Sequence, residues 1–253
     1  MKIATWNVNS VNARLPTVVE VLKTIEADVW CLQEIKCVDE KFPRAEMEEL
    51  GFNCAVFGQK TYNGVAILAK HRISDEVRHL PGEPEDEQSR YLEVLVEAPR
   101  PVRVASVYLP NGNPRPGEKY DYKLRWMDRL NARAEALLAN EEAVVLTGDF
   151  NCIPRDEDCW DPKAWAEDAL AWPATRERSA ACNGWATRTP SWRATGASRN
   201  TPSGTIRPAP GSGTTAFAST TPCSRRKRPT GSSGCRSIAT SEAGRNRRTT
   251  YRW

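Results

Sequence analysis

Ala143-Val144-Val145-Leu146-Thr147-Gly148-Asp149-Phe150-Asn151 is an apolar strand that stops at a turn bearing a carboxylate and a carboxamide two residues apart. Side chains alternate along a strand, so Asp149 and Asn151 are delivered to one side of a sheet edge. Oxygen ligands placed there suit a metal ion and a phosphate. The same Gly-Asp-x-Asn string also forms an ordinary turn in which Asp and Asn cap backbone amides. Taken alone, the motif does not separate the two readings.

Two further strand ends bear on the choice. Lys2-Ile3-Ala4-Thr5-Trp6-Asn7-Val8-Asn9-Ser10 is a short apolar run reaching Asn7, and Ala27-Asp28-Val29-Trp30-Cys31-Leu32 runs into Gln33-Glu34-Ile35-Lys36. Ligands gather at the carboxyl ends of strands in α/β sheets, so Asn7, Glu34 and Asp149 can converge although they are far apart in sequence. Between them, Leu15, Val18, Val19, Leu22 and Ile25 recur at helical spacing. Strand-like runs follow at 54–57, 65–68, 91–96 and 102–107, and a second helix is predicted over 119–139 with Leu124, Met127, Leu130 and Leu137 inward. Helices interleaved with strands predict an α/β fold.

Five strings now stand in order: Trp6-Asn7-Val8-Asn9, Leu32-Gln33-Glu34-Ile35-Lys36, Tyr62-Asn63-Gly64-Val65-Ala66, Val107-Tyr108-Leu109-Pro110-Asn111-Gly112 and Leu146-Thr147-Gly148-Asp149-Phe150-Asn151. Together they resemble the exodeoxyribonuclease III family, the metal-dependent exonucleases and apurinic endonucleases of DNA repair, over about the first 170 residues. Trp30 departs from the pattern, since that strand usually carries a smaller aliphatic. The resemblance implies a two-sheet sandwich flanked by helices, of the DNase I-like kind. It implies Mg²⁺, with Mn²⁺ as a substitute, held by Glu34 and Asn7. It implies catalytic roles for Asp149 (orienting or deprotonating the attacking water), Asn151 (donating to a phosphate oxygen) and Tyr108 (a phenol near the leaving group or phosphate). It also implies that Lys36, Asn63 and Asn111 bind substrate, which would be double-stranded DNA with 3′ ends or abasic sites, processed by a monomer as 3′-to-5′ exonuclease and abasic-site endonuclease.

Read from the residues alone, Tyr108 is first of all a sheet-edge aromatic with a wet hydroxyl. Asn63 and Asn111 each precede a glycine and are first of all turn residues. Arg90, Lys36, Lys119 and Arg125 are candidate phosphate contacts, though each such residue is more often a solvated surface charge.

Past residue 172 the chain changes character. No Leu, Val or Met follows Leu170, and the 81 residues 173–253 carry 15 Lys plus Arg against only Glu177 and Glu242. So few buriable side chains do not offset the entropy of ordering, and the sequence predicts an α/β domain over 1–172 followed by a disordered, low-complexity basic tail. The overall charge of +4 therefore conceals an acidic body and a tail of about +13. The family's second half supplies an Asp beside Arg-Ile and a terminal Lys-Pro-Ser-Asp-His. Here no Asp follows Asp168, and the histidines are His71 and His79. Read from the third base of GC-rich codons, the last eight residues yield Pro-Ser-Asp-His-Val-Pro-Val, and 216–223 yields Val-Arg-Ile-Asp-His-Ala-Leu. The tail is therefore expected to be out of frame, through a one-base shift placed near 172–178, leaving apolar faces of the first half uncovered.

Eight cysteines without a Cys-x-x-Cys pair indicate neither a zinc site nor a disulfide framework, and reduced thiols fit a cytoplasmic setting. Cys152 reads as a small buried side chain rather than a nucleophile. No 18-residue apolar stretch exists, so no membrane partner is expected. Two other functions fit parts of the sequence. One is a phosphodiesterase of the same scaffold acting on another substrate; the other is a catalytically dead DNA-binding protein that uses the basic tail.

Overall fold

The computed structural model describes residues 1–140, 142–186 and 214–219, with backbone only for 183–186 and 214–219. Its strands are β1 (Ile3–Asn7), β2 (Val29–Gln33), β3 (Asn53–Phe57), β4 (Val65–Ala69), β5 (Ile73–Val77), β6 (Tyr91–Val96), β7 (Val102–Tyr108), β8 (Val144–Asp149) and β9 (Thr214–Ser219). Its α-helices are α1 (Leu15–Thr24), α2 (Arg44–Glu49), α3 (Glu118–Ala139), α4 (Pro162–Trp165) and α5 (Pro173–Ala186). The strands form a four-stranded sheet ordered β1-β2-β4-β3 and a five-stranded sheet ordered β5-β6-β7-β8-β9. The two sheets face each other, with helices outside, as the family resemblance implied.

Period-two alternation explains the layering. On β2, Val29 and Cys31 face the second sheet, where they join Ile67, Leu92, Val94, Val104 and Val145 in the inter-sheet core. Trp30 and Leu32 point the other way, onto Val18, Leu22 and Met47 of α1 and α2. On β8, Val145 faces inward while Val144 and Leu146 meet Trp126, Met127 and Leu130 of α3. A small cluster of buried polar groups interrupts the outer face. Glu93 is fully buried on β6 and receives hydrogen bonds from Arg103 (3.1 Å), Arg133 (2.6 Å) and the Tyr91 hydroxyl, which ties α3 to the sheet. A buried carboxylate persists only when compensated in this way.

The ordered body runs past the expected boundary at residue 172. α5 packs on α3 with Thr175, Ser179 and Cys182 buried; Arg178 pairs with Asp128 at 2.8 Å, and the Asn131 amide donates to the Arg178 carbonyl. Small polar residues let two helices approach closely, a kind of burial that a count of aliphatic side chains misses. β9 also departs from the expectation of disorder, pairing antiparallel with β8 from Thr214 opposite Asp149 to Ser219 opposite Val144. The rest of the predicted tail lies outside the described residues. The expected bare apolar faces are not found either: among the described residues, the exposed large hydrophobics are Met1, Tyr62 and Trp160.

Two buried side-chain atoms, Trp30 Nε1 and Thr147 Oγ1, have no hydrogen-bond partner among the described residues. An unsatisfied buried hydroxyl costs about 1–3 kcal/mol, whereas an apolar group of the same shape avoids that penalty. Thr147→Val is therefore expected to raise the urea midpoint, by up to about 1 kcal/mol of stability. A fall in midpoint would show that the hydroxyl has a partner.

Candidate active site

Two parallel strand pairs, one in each sheet, build the site. β1 and β2 run parallel with Asn7 opposite Gln33, and β7 and β8 run parallel with Tyr108 opposite Asp149. A parallel pair presents both carboxyl ends together, so Asn7 leaves the first sheet beside Glu34, and Tyr108 leaves the second beside Asp149. The sheets are bridged just beneath these ends: Gln33 Nε2 donates to Ser106 Oγ (3.0 Å), and Ser106 Oγ donates to the Leu32 carbonyl (3.2 Å).

The four residues meet. Asn7 Nδ2 donates to Glu34 Oε1 at 2.6 Å and to Asp149 Oδ2 at 2.9 Å, so one amide spans two carboxylates from different sheets. Lys36 Nζ lies 2.9 Å from the second Glu34 oxygen and also donates to Asn9 Oδ1. The Tyr108 hydroxyl hydrogen-bonds Glu34, and the Arg90 guanidinium sits 4.8 Å from the centre of the Tyr108 ring. Asp149 Oδ1 accepts from the Asn151 backbone (3.1 Å), and Asn151 Nδ2 donates to the Leu109 carbonyl (2.8 Å).

The loops that carry these groups adopt an unusual backbone. Among the described residues, eight non-glycine positions have positive φ, and seven of them (Asn9, Ser10, Glu34, Lys36, Thr61, Asn63 and Asn151) lie on the strand-end loops around this site. Such conformations persist where surrounding contacts over-determine them, and they concentrate at functional sites. The contacts are present here. Ser10 N donates to the Glu34 carbonyl (2.7 Å) and Val11 N to the Ile35 carbonyl (3.1 Å), while Ile35 N and Lys36 N donate to the carbonyls of Gly64 and Asn63. Glu34 is thus held between the loops after β1 and β3.

Burial alone would raise the Glu34 carboxyl, but hydrogen bonds from Asn7 and Lys36, with the Lys36 charge, outweigh it and hold the group below the ordinary carboxylate value. Tyr108 is pushed above the ordinary phenol value by burial and by the Glu34 charge, which keeps it a neutral donor at neutral pH. Two carboxylates and a carboxamide form a hard oxygen set suited to a small divalent cation that keeps several of its waters. Among the described residues no group of three or more His, Cys, Asp and Glu is arranged to hold a metal, so a closed zinc-type cage is not built there.

Not every residue singled out from sequence joins the cup. The Asn63 side chain is buried and donates to Gln59 (2.8 Å), with Gln88 at 3.5 Å; its contribution to the site is the carbonyl that braces Lys36. Asn111 is exposed on the rim, its carboxamide oxygen accepting from Asn113. Arg90 serves Tyr108, donating to its carbonyl at 3.3 Å, while Lys119 and Arg125 are exposed on α3. Cys152 is buried, as expected, and donates to Ser179 (3.3 Å). His79 packs on Phe57 and meets the Asp86 carbonyl.

Sequence reasoning missed Lys123, which is fully buried on α3. Its signal was present: Tyr120, Lys123, Met127, Leu130, Ala134 and Leu137 follow the 3-4-3-4-3 spacing of one helix face, and one member is a lysine. Burial lowers its ammonium to about 8. An unfolded lysine titrates near about 10.4, so between these values the unfolded chain binds more protons and stability rises with pH. Relative to Lys123→Met, the parent chain is expected to gain up to about 3 kcal/mol between pH 7.5 and 10.5. Urea midpoints at the two pH values check this, and a pH-independent difference would contradict it.

Comparison with known proteins bears on the same residues. The model of the endonuclease/exonuclease/phosphatase family matches residues 4–207. The chain belongs to this family. Among curated relatives, exodeoxyribonuclease III of Haemophilus influenzae is 32% identical over 160 residues, covering 62% of this chain and 60% of that protein. The DNA-(apurinic or apyrimidinic site) endonuclease 2 of Xenopus laevis is 28% identical over 196 residues, covering 64% and 38%. Among solved structures, a 3′-5′ exonuclease from Neisseria meningitidis superposes with a TM-score of 0.68 at 38% identity, covering 73% of this chain and 71% of that one. An AP endonuclease from Archaeoglobus fulgidus also gives 0.68, at 32% identity, covering 73% and 70%. The chain spans about three fifths of the length of the first curated relatives it matches. In no described helix is there a span long and apolar enough to cross a membrane.

Proposed function

We propose that this chain is a DNA repair phosphodiesterase of the exodeoxyribonuclease III type, hydrolysing phosphodiester bonds of double-stranded DNA at 3′ ends or abasic sites as a cytoplasmic monomer. The observation that carries the reading is the single Asn7 amide joined to Glu34 and Asp149 across two sheets. Phosphodiester hydrolysis needs a positioned water, neutralisation of charge on the phosphoryl oxygens and help for the leaving oxygen. A divalent cation of the Mg²⁺ type, held by Glu34 and Asn7, would supply the charge neutralisation. Asp149 would accept a proton from the attacking water, Asn151 would donate to a phosphoryl oxygen, and Tyr108 would donate near the leaving oxygen. Lys36, already paired with Glu34, brings positive charge to the rim.

The sequence beyond the described helix lacks the Asp and His that this family uses opposite Asp149, and we propose that it is out of frame. The fitted contacts of α5 through Cys182 favour a shift after that residue rather than at 172–178.

The test is cleavage of labelled nicked and tetrahydrofuran-containing duplexes with Mg²⁺ against EDTA. Slow, cation-dependent cleavage is expected, together with a Mn²⁺ affinity that falls tenfold or more in Glu34→Gln, about 1.4 kcal/mol. Hydrolysis of a phosphoinositide or sphingolipid with DNA left intact would sink the DNA reading. Unchanged Mn²⁺ affinity in Glu34→Gln would sink the site.

A further inference from the structure

Lys123 presents a physical problem that the proposed reaction leaves unanswered. It occupies a core position on α3, and an ammonium there costs far more to bury than a methionine or leucine unless it is well compensated. Its compensation is unusual. Nζ donates to two backbone carbonyls, Asn111 at 3.0 Å and Asn151 at 2.6 Å, with Asp168 and Asp149 as the nearby negative charges. Both carbonyls lie just past strand ends, in the loops after β7 and β8. Asn151 is the residue whose carboxamide the proposed reaction places on a phosphoryl oxygen, and Asn111 is the rim residue to which the family resemblance gives a substrate contact. One charged head therefore ties together the two loops that flank Tyr108 and Asp149.

The neighbouring backbone is shaped around the lysine stem. Gly112 has φ +89°, and a Cβ built there would lie 2.6 Å from Lys123 Cδ and 3.3 Å from its Cβ, so the loop after β7 lies directly on the side chain. The Asn151 carboxamide donates to Leu109 of that same loop, and Asn113 links Asn111 to Asp168 at 3.0 Å. Remove the ammonium and the part-buried Asn111 bond and the buried Asn151 bond both lose a charged donor, while the stem-to-loop packing survives in a residue of similar length. Loss of loop spacing without loss of core is the expected outcome.

We infer that Lys123 is a positioning residue: its buried ammonium clamps the carbonyls of Asn111 and Asn151 and thereby fixes the Asn151 carboxamide against the loop after β7, at the spacing that a phosphodiester between them requires. The inference rests on the phosphodiesterase reading above. It assigns to a core side chain, which touches neither cation nor DNA, control over recognition of the scissile phosphate.

The test uses the full chain, its Lys123→Met and Lys123→Arg variants, and binding rather than turnover. Two tetrahydrofuran-containing duplexes are compared by fluorescence anisotropy in Ca²⁺ at a salt concentration that suppresses non-specific binding. One carries a phosphodiester 5′ of the abasic position and the other a neutral methylphosphonate; Mn²⁺ affinity of each protein is measured in parallel. The parent chain is expected to prefer the phosphodiester by about tenfold or more. Lys123→Met is expected to lose most of that preference while keeping its Mn²⁺ affinity, and Lys123→Arg, which keeps charge and donors, to recover part of it. A preference retained in Lys123→Met overturns the inference. So does a Mn²⁺ affinity that falls in step with it in both variants, since that marks general destabilisation. A parent chain with no preference overturns the phosphodiesterase reading itself and takes the inference with it.

Discussion

Gly148→Ala is expected to leave the chain unfolded at room temperature. A Cβ at this position would lie 1.9 Å from the carbonyl oxygen of Val107 and 2.8 Å from its nitrogen. Both atoms are backbone of the strand paired in parallel with β8, where Val107 stands directly opposite Gly148. No rotamer change relieves such a clash; the ladder must open. The backbone there also has φ +153°, which L side chains rarely adopt. A penalty above about 4–5 kcal/mol is in the exceptional range for single substitutions and is comparable to the whole stability of many domains, about 5–15 kcal/mol. Circular dichroism and a urea melt decide it: a cooperative transition within about 1 kcal/mol of the parent would show that β7 and β8 are not packed as described. The consequence for function is direct, because the same ladder sets Tyr108 beside Asp149.

The second large effect concerns the chain's far end. Restoring the alternative reading frame beyond α5 is expected to raise Mg²⁺-dependent cleavage of an abasic duplex by about 10²- to 10⁴-fold over the chain as it stands, the usual contribution of a positioned protonation partner. The physical reason lies in Asp149. Asn7 and the Asn151 backbone donate to its two oxygens and hold the carboxylate in place. A His–Asp pair opposite it would stabilise the charge and share the proton taken from the attacking water. His71 and His79 are the histidines of this sequence, and His79 is engaged with Phe57 and the Asp86 carbonyl. Equal turnover of the two proteins would refute the proposal.

Much of the site was legible because its chemistry sits where strands end. Asn7, Glu34 and Asp149 each stand at the end of an apolar run, where ligands gather in α/β sheets, and the family resemblance selected convergence over strand ends that never meet. Helical spacing likewise located α1 and α3 to within a residue or so. What escaped shares one property: it depends on contacts between elements, not on pattern within one. Lys123 looks like an interruption of the stripe until the carbonyls of Asn111 and Asn151 are seen above it. Thr175, Ser179 and Cys182 read as poor core formers until α3 is placed against them. Asn63 looked like a hand extended to substrate, but it turns inward because Gln59 and Gln88 offer its amide partners.

The inter-sheet bridge from Gln33 to Ser106 gives the arrangement one more property. The cup draws Asn7 and Glu34 from one layer and Tyr108 and Asp149 from the other, so its closure measures how the layers are aligned. A slip of a single residue along the strands displaces one half by roughly 3.3 Å, more than the 2.9 Å that now separates Asn7 from Asp149. Half-docked forms of the molecule therefore have no cup in which to hold a cation, and under the proposed function competence for hydrolysis would arrive together with the final seating of sheet on sheet.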